Sequence, residues 1–384
     1  MVVGTTGSGS LAAYSQALGG RLPTRSLTVA GCSGSFGHPL LGRYSLRRLA
    51  VDARAIWRLR RSGADLLHLT SHHLARYGPT AGIPYVVTVH DLIRHRDWVE
   101  RNQRPPLIHR PNLRDGAYMR LDAAGLRRAA ALIAVSEHTR REVVERLGVP
   151  PERVHVVREA FDRSLFRPTT RRLLDRPYVL YVGSEQPRKN LATLFRAFAA
   201  ARAATSRANL ALVKVGGAGG SEAPFRQQTL EQARAAGLGD ELILADRVSD
   251  DDLVAWYSGA VCLVLPSRAE GFGLPPLEAS ACGCPTVVSD AGALPEVVGE
   301  AGVVYGPPDD ADALAAALMR LVESPAEQSR LAEAGRRAAA RFTWERAVGE
   351  TLAVYRRVLA ADARVAYGLE APATRPVGVA AVDR

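Results

Sequence analysis

Aromatic residues make up only 6% of this 384-residue chain, and cysteine occurs four times. With so few aromatics, and no helix-turn-helix, finger or RNA-binding motif, nucleic acid is not an expected partner. Cys32, Cys262, Cys282 and Cys284 do not form a zinc motif. Cys282-Gly283-Cys284 is too tight for the usual pair and no second pair exists. They read as small core residues of a reduced protein. No apolar run reaches the ~18 residues of a spanning helix. The N-terminus has no basic stretch leading into an apolar one, so no secretory signal is expected. Lysine is nearly missing: of 50 basic residues, only Lys189 and Lys214 are lysines.

What is present suits a two-domain α/β chain. Apolar residues are 47% of the sequence, enough for full cores, and the net charge of +11 favours anionic partners. Strand-like runs alternate with helical stretches, which implies parallel sheets covered by helices. One series of six strands runs from Met1–Gly4 to Arg153–Val157. A second six run from Tyr178–Gly183 to Gly302–Tyr305. Between them, Phe161 to Pro177 is polar, Arg-rich and bounded by proline, and reads as a linker. Ser136, Asn190 and Ser249 are predicted helix N-caps. A last helix is predicted over Trp344–Leu359, and the tail from Ala361 is expected to be disordered.

The densest chemistry lies between Ser267 and Glu278. The apolar run Val261–Leu265 leads into a Gly-rich turn carrying Glu270. Pro275 and Pro276 then open a helix whose first turn carries Glu278. Proline fits there because its missing N–H has no intrahelical partner. A helix start can hold a phosphate. The prolines donate nothing, so the N–H groups of Gly273 and Leu274 are the expected donors. Gly271, Phe272, Gly273 and Leu274 are expected to contact the donor, the two glycines permitting close backbone approach. A carboxylate would repel phosphate unless it grips neutral hydroxyls beside it. The ligand implied has hydroxyls on both sides of a phosphate, as a nucleotide sugar does.

A second loop, Gly183-Ser184-Glu185-Gln186-Pro187-Arg188-Lys189-Asn190, joins a strand to a helix and lies at a strand's carboxyl end, where ligands bind in such sheets. Arg188 and Lys189 are placed to neutralise a diphosphate and its developing charge. Lysine in so arginine-rich a chain points to a specific use for a compact ammonium. His90-Asp91 also ends a strand, and a histidine there can donate to a sugar hydroxyl or assist proton transfer. Gly7-x-Gly9 fits a dinucleotide fingerprint, but no acid ends the second strand, which disfavours a nicotinamide or flavin. Asp250-Asp251-Asp252 reads as helix-start acids rather than a metal motif. Arg47, Arg54, Arg58 and Arg61 on a predicted helix over Leu46–Ser62, with Arg94, Arg96, Trp98, Arg101 and Arg104, suggest a patch for an anionic membrane surface.

The block EGFGLPPLEASACGCPTVVSD, with Glu270 and Glu278 separated by seven residues, resembles the signature of glycosyltransferase family 4, retaining enzymes of the GT-B fold. The resemblance implies two Rossmann-like domains facing a cleft: an acceptor domain over 1–165 and a nucleotide-sugar domain over 166–342. It implies a helix over 343–360 that crosses back to the first domain, followed by a tail over 361–384. It places Glu270 near the donor sugar, Glu278 on the ribose, and Pro187-Arg188-Lys189 on the phosphates. Val248 and Asp250 fall near the base, and Gly7, Gly9 and His90 line the cleft.

Many members carry arginine where this chain has Ser184, so Arg188 is left to supply the second positive charge. The motif style resembles mannosyltransferases of surface-polysaccharide synthesis, making GDP-mannose the first guess for the donor and a carbohydrate or lipid-linked hydroxyl the acceptor. No metal and no further cofactor are expected. The expected location is cytoplasmic, with peripheral contact at the inner face of the plasma membrane. The alternatives are a GT-B nucleotide-sugar epimerase and an inactive binding relative.

Overall fold

The computed structural model describes residues 2–5, 10–22, 26–29, 64–102, 106–108, 111–205, 209–217 and 223–366. Gly7, Gly9, Cys32, Arg104 and the predicted Leu46–Ser62 helix lie outside them.

The first sheet contains β1 (Val2–Thr5), β2 (Ser26–Val29), β3 (Leu67–Leu69), β4 (Tyr85–Val89), β5 (Ala131–Ala134) and β6 (Val154–Val156). All pairs are parallel, in the order β2-β1-β3-β4-β5-β6. The second sheet contains β7 (Tyr178–Val182), β8 (Ala211–Val215), β9 (Leu242–Asp246), β10 (Cys262–Leu265), β11 (Thr286–Ser289) and β12 (Val303–Tyr305). It too is parallel, in the order β12-β11-β10-β7-β8-β9. These strands are the predicted ones, trimmed or shifted by a residue or two at their ends. Their predominantly apolar composition suits burial on both faces. Successive residues of β7 go to opposite faces: Val179 and Tyr181 join one core, Tyr178 and Leu180 the other.

Helices α1 (Ser10–Arg21), α2 (Ile93–Val99), α3 (Leu113–Arg128) and α4 (Glu137–Leu147) flank the first sheet. Those following β7 are α5 (Leu191–Ala204), α6 (Ala223–Ala235), α7 (Asp250–Gly259), α8 (Leu274–Ala281), α9 (Leu294–Val298), α10 (Ala311–Glu323), α11 (Pro325–Ala339) and α12 (Trp344–Ala366). Ser136 and Ser249 cap α4 and α7, accepting from Thr139 N and Asp252 N. Phe195 and Phe198 of α5 are fully buried, and truncating either would cost ~3–5 kcal/mol. On α12, Trp344, Val354 and Tyr355 pack with Tyr14, Leu18, Val86 and Ile133 of the first half. Tyr355 Oη lies 2.6 Å from His68 Nδ1.

Several expectations need correction. Asn190 does not cap α5 with its side chain. It has a left-handed backbone, and its Nδ2 donates to the carbonyls of Pro266 (3.1 Å) and Pro308 (2.8 Å). The expected disordered tail begins too early, since α12 continues to Ala366. The stretch read as a linker contributes core: Phe161 and Phe166 are buried and stack edge-on 6.1 Å apart, with Tyr257 beyond Phe166. Arg94 of the suggested membrane patch turns inward toward Asp115 (3.5 Å) and is only 14% exposed. The short helices α2 and α9 and the 3-10 turn His72–Thr80 had no clear period in the sequence. Cys262, Cys282 and Cys284 are buried and free, and burial pushes the Cys262 and Cys282 thiols up to about 12.

Candidate active site

Strand order in the second sheet reverses between β10 and β7. In an open parallel sheet, the crevice outside the carboxyl ends at such a switch point is the usual ligand site. Here β7 runs into the Gly183–Asn190 loop and β10 into the Pro266–Gly273 loop, so the two segments singled out in the sequence meet. Their backbones are joined by Arg268 N donating to Arg188 O at 2.7 Å.

Three donors converge on the Glu270 carboxylate. Lys189 Nζ donates to Oε1 at 2.6 Å, Ser267 Oγ to the same oxygen at 2.7 Å, and Arg188 Nη1 to Oε2 at 2.9 Å. The Glu270 side chain is 11% exposed and that of Lys189 10%. Burial alone would raise the carboxyl, but Arg188 and Lys189 outweigh it and hold Glu270 at about 2. Glu270 is therefore an anion at any ordinary pH. It is a weak base and cannot serve as a general acid.

Glu278 has the opposite electrostatics and lies just past the first turn of α8 rather than within it as expected, being its fifth residue, because the helix starts at Leu274 before the two prolines. Burial pushes its carboxyl up to about 7, against a hydrogen bond from Tyr257 Oη at 2.9 Å, while the charge of Asp250 adds to the rise. Gly273, at φ 113°, begins α8, a conformation that favours glycine. Phe272 does not face the cleft; it is buried against Phe342, with ring centroids 5.9 Å apart. Ser184 is half-buried and its carbonyl accepts from Tyr181 Oη at 2.7 Å. Val248 packs at the edge of the core and Asp250 is exposed at the start of α7. Of the acid run, Asp252 pairs with Arg171 at 2.6 Å. Among the described residues no three His, Cys, Asp or Glu side chains are placed to share a metal ion.

His90 is buried, and both its ring nitrogens are engaged. Nδ1 lies 2.6 Å from Glu159 Oε1 and Nε2 lies 3.0 Å from Thr70 O. With Glu159 ionised, both contacts call for N–H groups, which favours the imidazolium. Burial opposes that charge, but Glu159 prevails and raises the pKa. The predicted donation to a sugar hydroxyl therefore finds no uncommitted nitrogen in this state. Neighbouring Asp91 accepts from Ile93 N at 2.9 Å and helps start α2. A Cβ on Gly271 would come 1.8 Å from His90 O, so glycine is needed there for contact between the two halves of the chain.

Four groups at or near this site were not predicted. Ser267, three residues before Glu270, carried no distinguishing signal. Glu159 and Tyr257 reach His90 and Glu278 from sequence positions 69 and 21 residues away, so only the fold brings them in. Lys214 did carry a signal, being the other lysine. It is buried with Glu185, Nζ to Oε1 2.7 Å, and Arg226 Nε adds a contact to Glu185 at 2.8 Å. The pair braces the loop that carries Arg188 and Lys189.

The family model for glycosyl transferases group 1 matches residues 162–338, and that for glycosyltransferase family 4 matches residues 14–165. An MMP alpha-(1->4)-mannosyltransferase of Mycolicibacterium hassiacum is 33% identical over 293 residues, covering 73% of this chain and 66% of the relative. A D-inositol 3-phosphate glycosyltransferase of Catenulispora acidiphila is 31% identical over 317 residues, covering 77% and 72%. Against a Nocardioides enzyme of that description, the match spans about half of the relative's length, 54%. Sucrose-phosphate synthase of Thermosynechococcus elongatus superposes with a TM-score of 0.68 at 25% identity, over 89% of this chain and 83% of its own. Anabaena HepE, solved with UDP and glucose, superposes at 0.70 with 18% identity, over 96% and 99%. Two Rossmann-like sheets, the paired glutamates at the switch point and these matches agree: the chain is a glycosyltransferase with the GT-B fold and belongs to glycosyltransferase family 4.

Proposed function

We propose that this enzyme transfers a hexose, with mannose the first candidate, from a nucleoside diphosphate to a hydroxyl acceptor, with retention of configuration. The observation that carries the reading is the convergence of Arg188 and Lys189 on Glu270 where β7 and β10 end. Two fixed cations stand where a departing diphosphate would collect charge, which favours the transition state without reorganisation. Their presence is also why turnover is proposed to need no divalent metal. We take 1–165 as the acceptor domain, 166–342 as the donor domain and 343–360 as the helix that crosses back.

In this reading the Glu278 carboxylate accepts the ribose hydroxyls, Val248 and Asp250 border the base, and the N–H groups of Gly273 and Leu274 meet phosphate. Glu270 faces the transferred sugar. Its oxygens already accept three hydrogen bonds, which makes it a poor nucleophile. A double displacement through Glu270 is thereby disfavoured. Displacement on one face, with the leaving phosphate oxygen taking the acceptor proton, fits better. His90 acts as a fixed charge and support at the cleft wall rather than as a proton carrier. The mannosyltransferase relative favours GDP-mannose, while the UDP complex of HepE makes UDP-glucose the donor to test beside it.

The deciding experiment is a thermal-shift screen of nucleoside diphosphates and nucleotide sugars, followed by assay of nucleotide release. A cognate donor at about 100-fold over Kd stabilises by ~2.7 kcal/mol. Release that depends on an acceptor supports transfer. Release without one points to hydrolysis or to an epimerase.

A further inference from the structure

Glu296 belongs to α9 of the second half, but its carboxylate serves a helix of the first half. Oε2 accepts from Glu137 N at 2.9 Å and His138 N at 3.3 Å. Oε1 accepts from Glu137 N at 3.1 Å and Arg158 Nη2 at 3.0 Å. Residues 137 and 138 open α4, where N–H groups have no intrahelical acceptor and carry the positive end of the helix dipole. The helix's own Ser136 caps only Thr139 N. The remaining first-turn donors are satisfied by a side chain 158 or 159 residues away.

The same helix end makes a second contact. Ser136 Oγ donates to Gly271 O at 2.8 Å, and Thr139 Oγ1 donates to that oxygen at 3.3 Å. Gly271 directly follows Glu270 and lies so close to His90 that a Cβ there would come 1.8 Å from His90 O. One face of α4 thus grips the Glu270 loop, and the adjoining face is gripped by Glu296. The Glu296 side chain is 20% exposed and that of Arg158 38%, so the contact can open to water.

We propose that Glu296 is a positioning residue for glycosyl transfer: by capping α4 across the cleft it holds the halves together and sets Glu270–Gly271 against His90. This inference rests on the assignment of the cleft as the transfer site. It assigns Glu296 no contact with donor or acceptor. Loss of the cap depopulates the joined state, and turnover falls with that population.

The test uses the full chain with Glu296→Ala, Glu296→Gln and Arg158→Ala. The measurements are kcat, KM, calorimetric Kd for the nucleoside diphosphate identified by the screen above, and radius of gyration by small-angle scattering. Glu296→Ala is expected to lower kcat about tenfold, equivalent to ~1.4 kcal/mol and in the range of a lost helix cap. It should increase the radius of gyration and leave nucleotide Kd within about twofold, a fold-change worth only ~0.4 kcal/mol. Glu296→Gln keeps one acceptor oxygen and should recover part of kcat, while Arg158→Ala should give a smaller loss of the same kind. Wild-type kcat and radius in Glu296→Ala would overturn the proposal. So would parallel loss of kcat and nucleotide affinity, which would mark a fold defect of the donor half. If no nucleotide binds the wild-type chain, the transfer reading itself fails, a result distinct from either.

Discussion

Lys189 Nζ lies 2.6 Å from Glu270 Oε1, and the two side chains are 10% and 11% exposed. With Arg188 on the other carboxylate oxygen, the cluster carries two cations to one anion and so retains a net positive charge. In the proposed reading, an incoming diphosphate would meet a cation pair already largely buried and held in place. The lone lysine of the loop is paired with Glu270, so under the proposed reading it would link phosphate binding to the reacting end of the donor.

Lys189→Ala is therefore expected to weaken nucleoside-diphosphate binding by ~1.5–3 kcal/mol, the range for a hydrogen bond to a charged group. Binding of the nucleoside without phosphates should change little. Calorimetry with both ligands checks this, and equal losses would deny Lys189 a phosphate role.

The two glutamates should separate cleanly. Glu278→Gln is expected to weaken free nucleotide and intact donor alike, because both present the ribose. Glu270→Gln should spare the free nucleotide and lower kcat by on the order of 10²-fold, as when a preorganised contact is lost. If the free nucleotide is lost only in Glu270→Gln, the donor lies the other way round.

Much of this site was legible in the sequence because it is local. The Glu270 and Lys189 loops each follow an apolar strand and precede a helix, and their periodicity placed both at strand ends. What was illegible depends on long-range packing. Phe272 sits between two glycines and reads as a ligand contact, yet Phe342 draws it into the core. His90 reads as a free donor until the fold delivers Glu159 to one nitrogen and Thr70 O to the other. Asn190 reads as a cap because no local pattern foretells the carbonyls of Pro266 and Pro308.

Nucleotide affinity should depend on pH through Glu278, which titrates at about 7 because burial disfavours its anion. Only the carboxylate accepts two hydroxyls, so affinity should rise as pH climbs through that value. Tyr257→Phe removes a hydrogen bond that favours the anion, and the midpoint should move upward. The sign for stability is opposite. The folded state holds this proton more tightly than the unfolded chain, so stability from this group declines as pH rises from the ordinary glutamate range of ~4.3. A pH-independent Kd across this range would remove Glu278 from the ribose site.

Turnover is expected to persist in excess chelator, since Arg188 and Lys189 supply the charge that a divalent ion would bring. Loss of activity with rescue by magnesium or manganese would instead bring Asp250–Asp252 back as candidate ligands.

The His90–Glu159 pair should be visible in the pH dependence of stability. Burial opposes a charge on His90, but Glu159 favours the protonated ring and raises its pKa above the ordinary histidine value. A group raised on folding stabilises fully below its unfolded pKa of ~6.5, and that contribution disappears as pH rises through the folded value. Glu159→Gln leaves the buried ring without its counter-charge. The expected cost is ~3–5 kcal/mol, the usual penalty for breaking a buried pair, and it should shrink as pH rises above the unfolded histidine value and through the raised folded one. Chemical denaturation of both proteins at pH 6 and pH 9 measures the difference. A cost that is the same at both values would mean that His90 is neutral in the folded protein, contrary to its two acceptors.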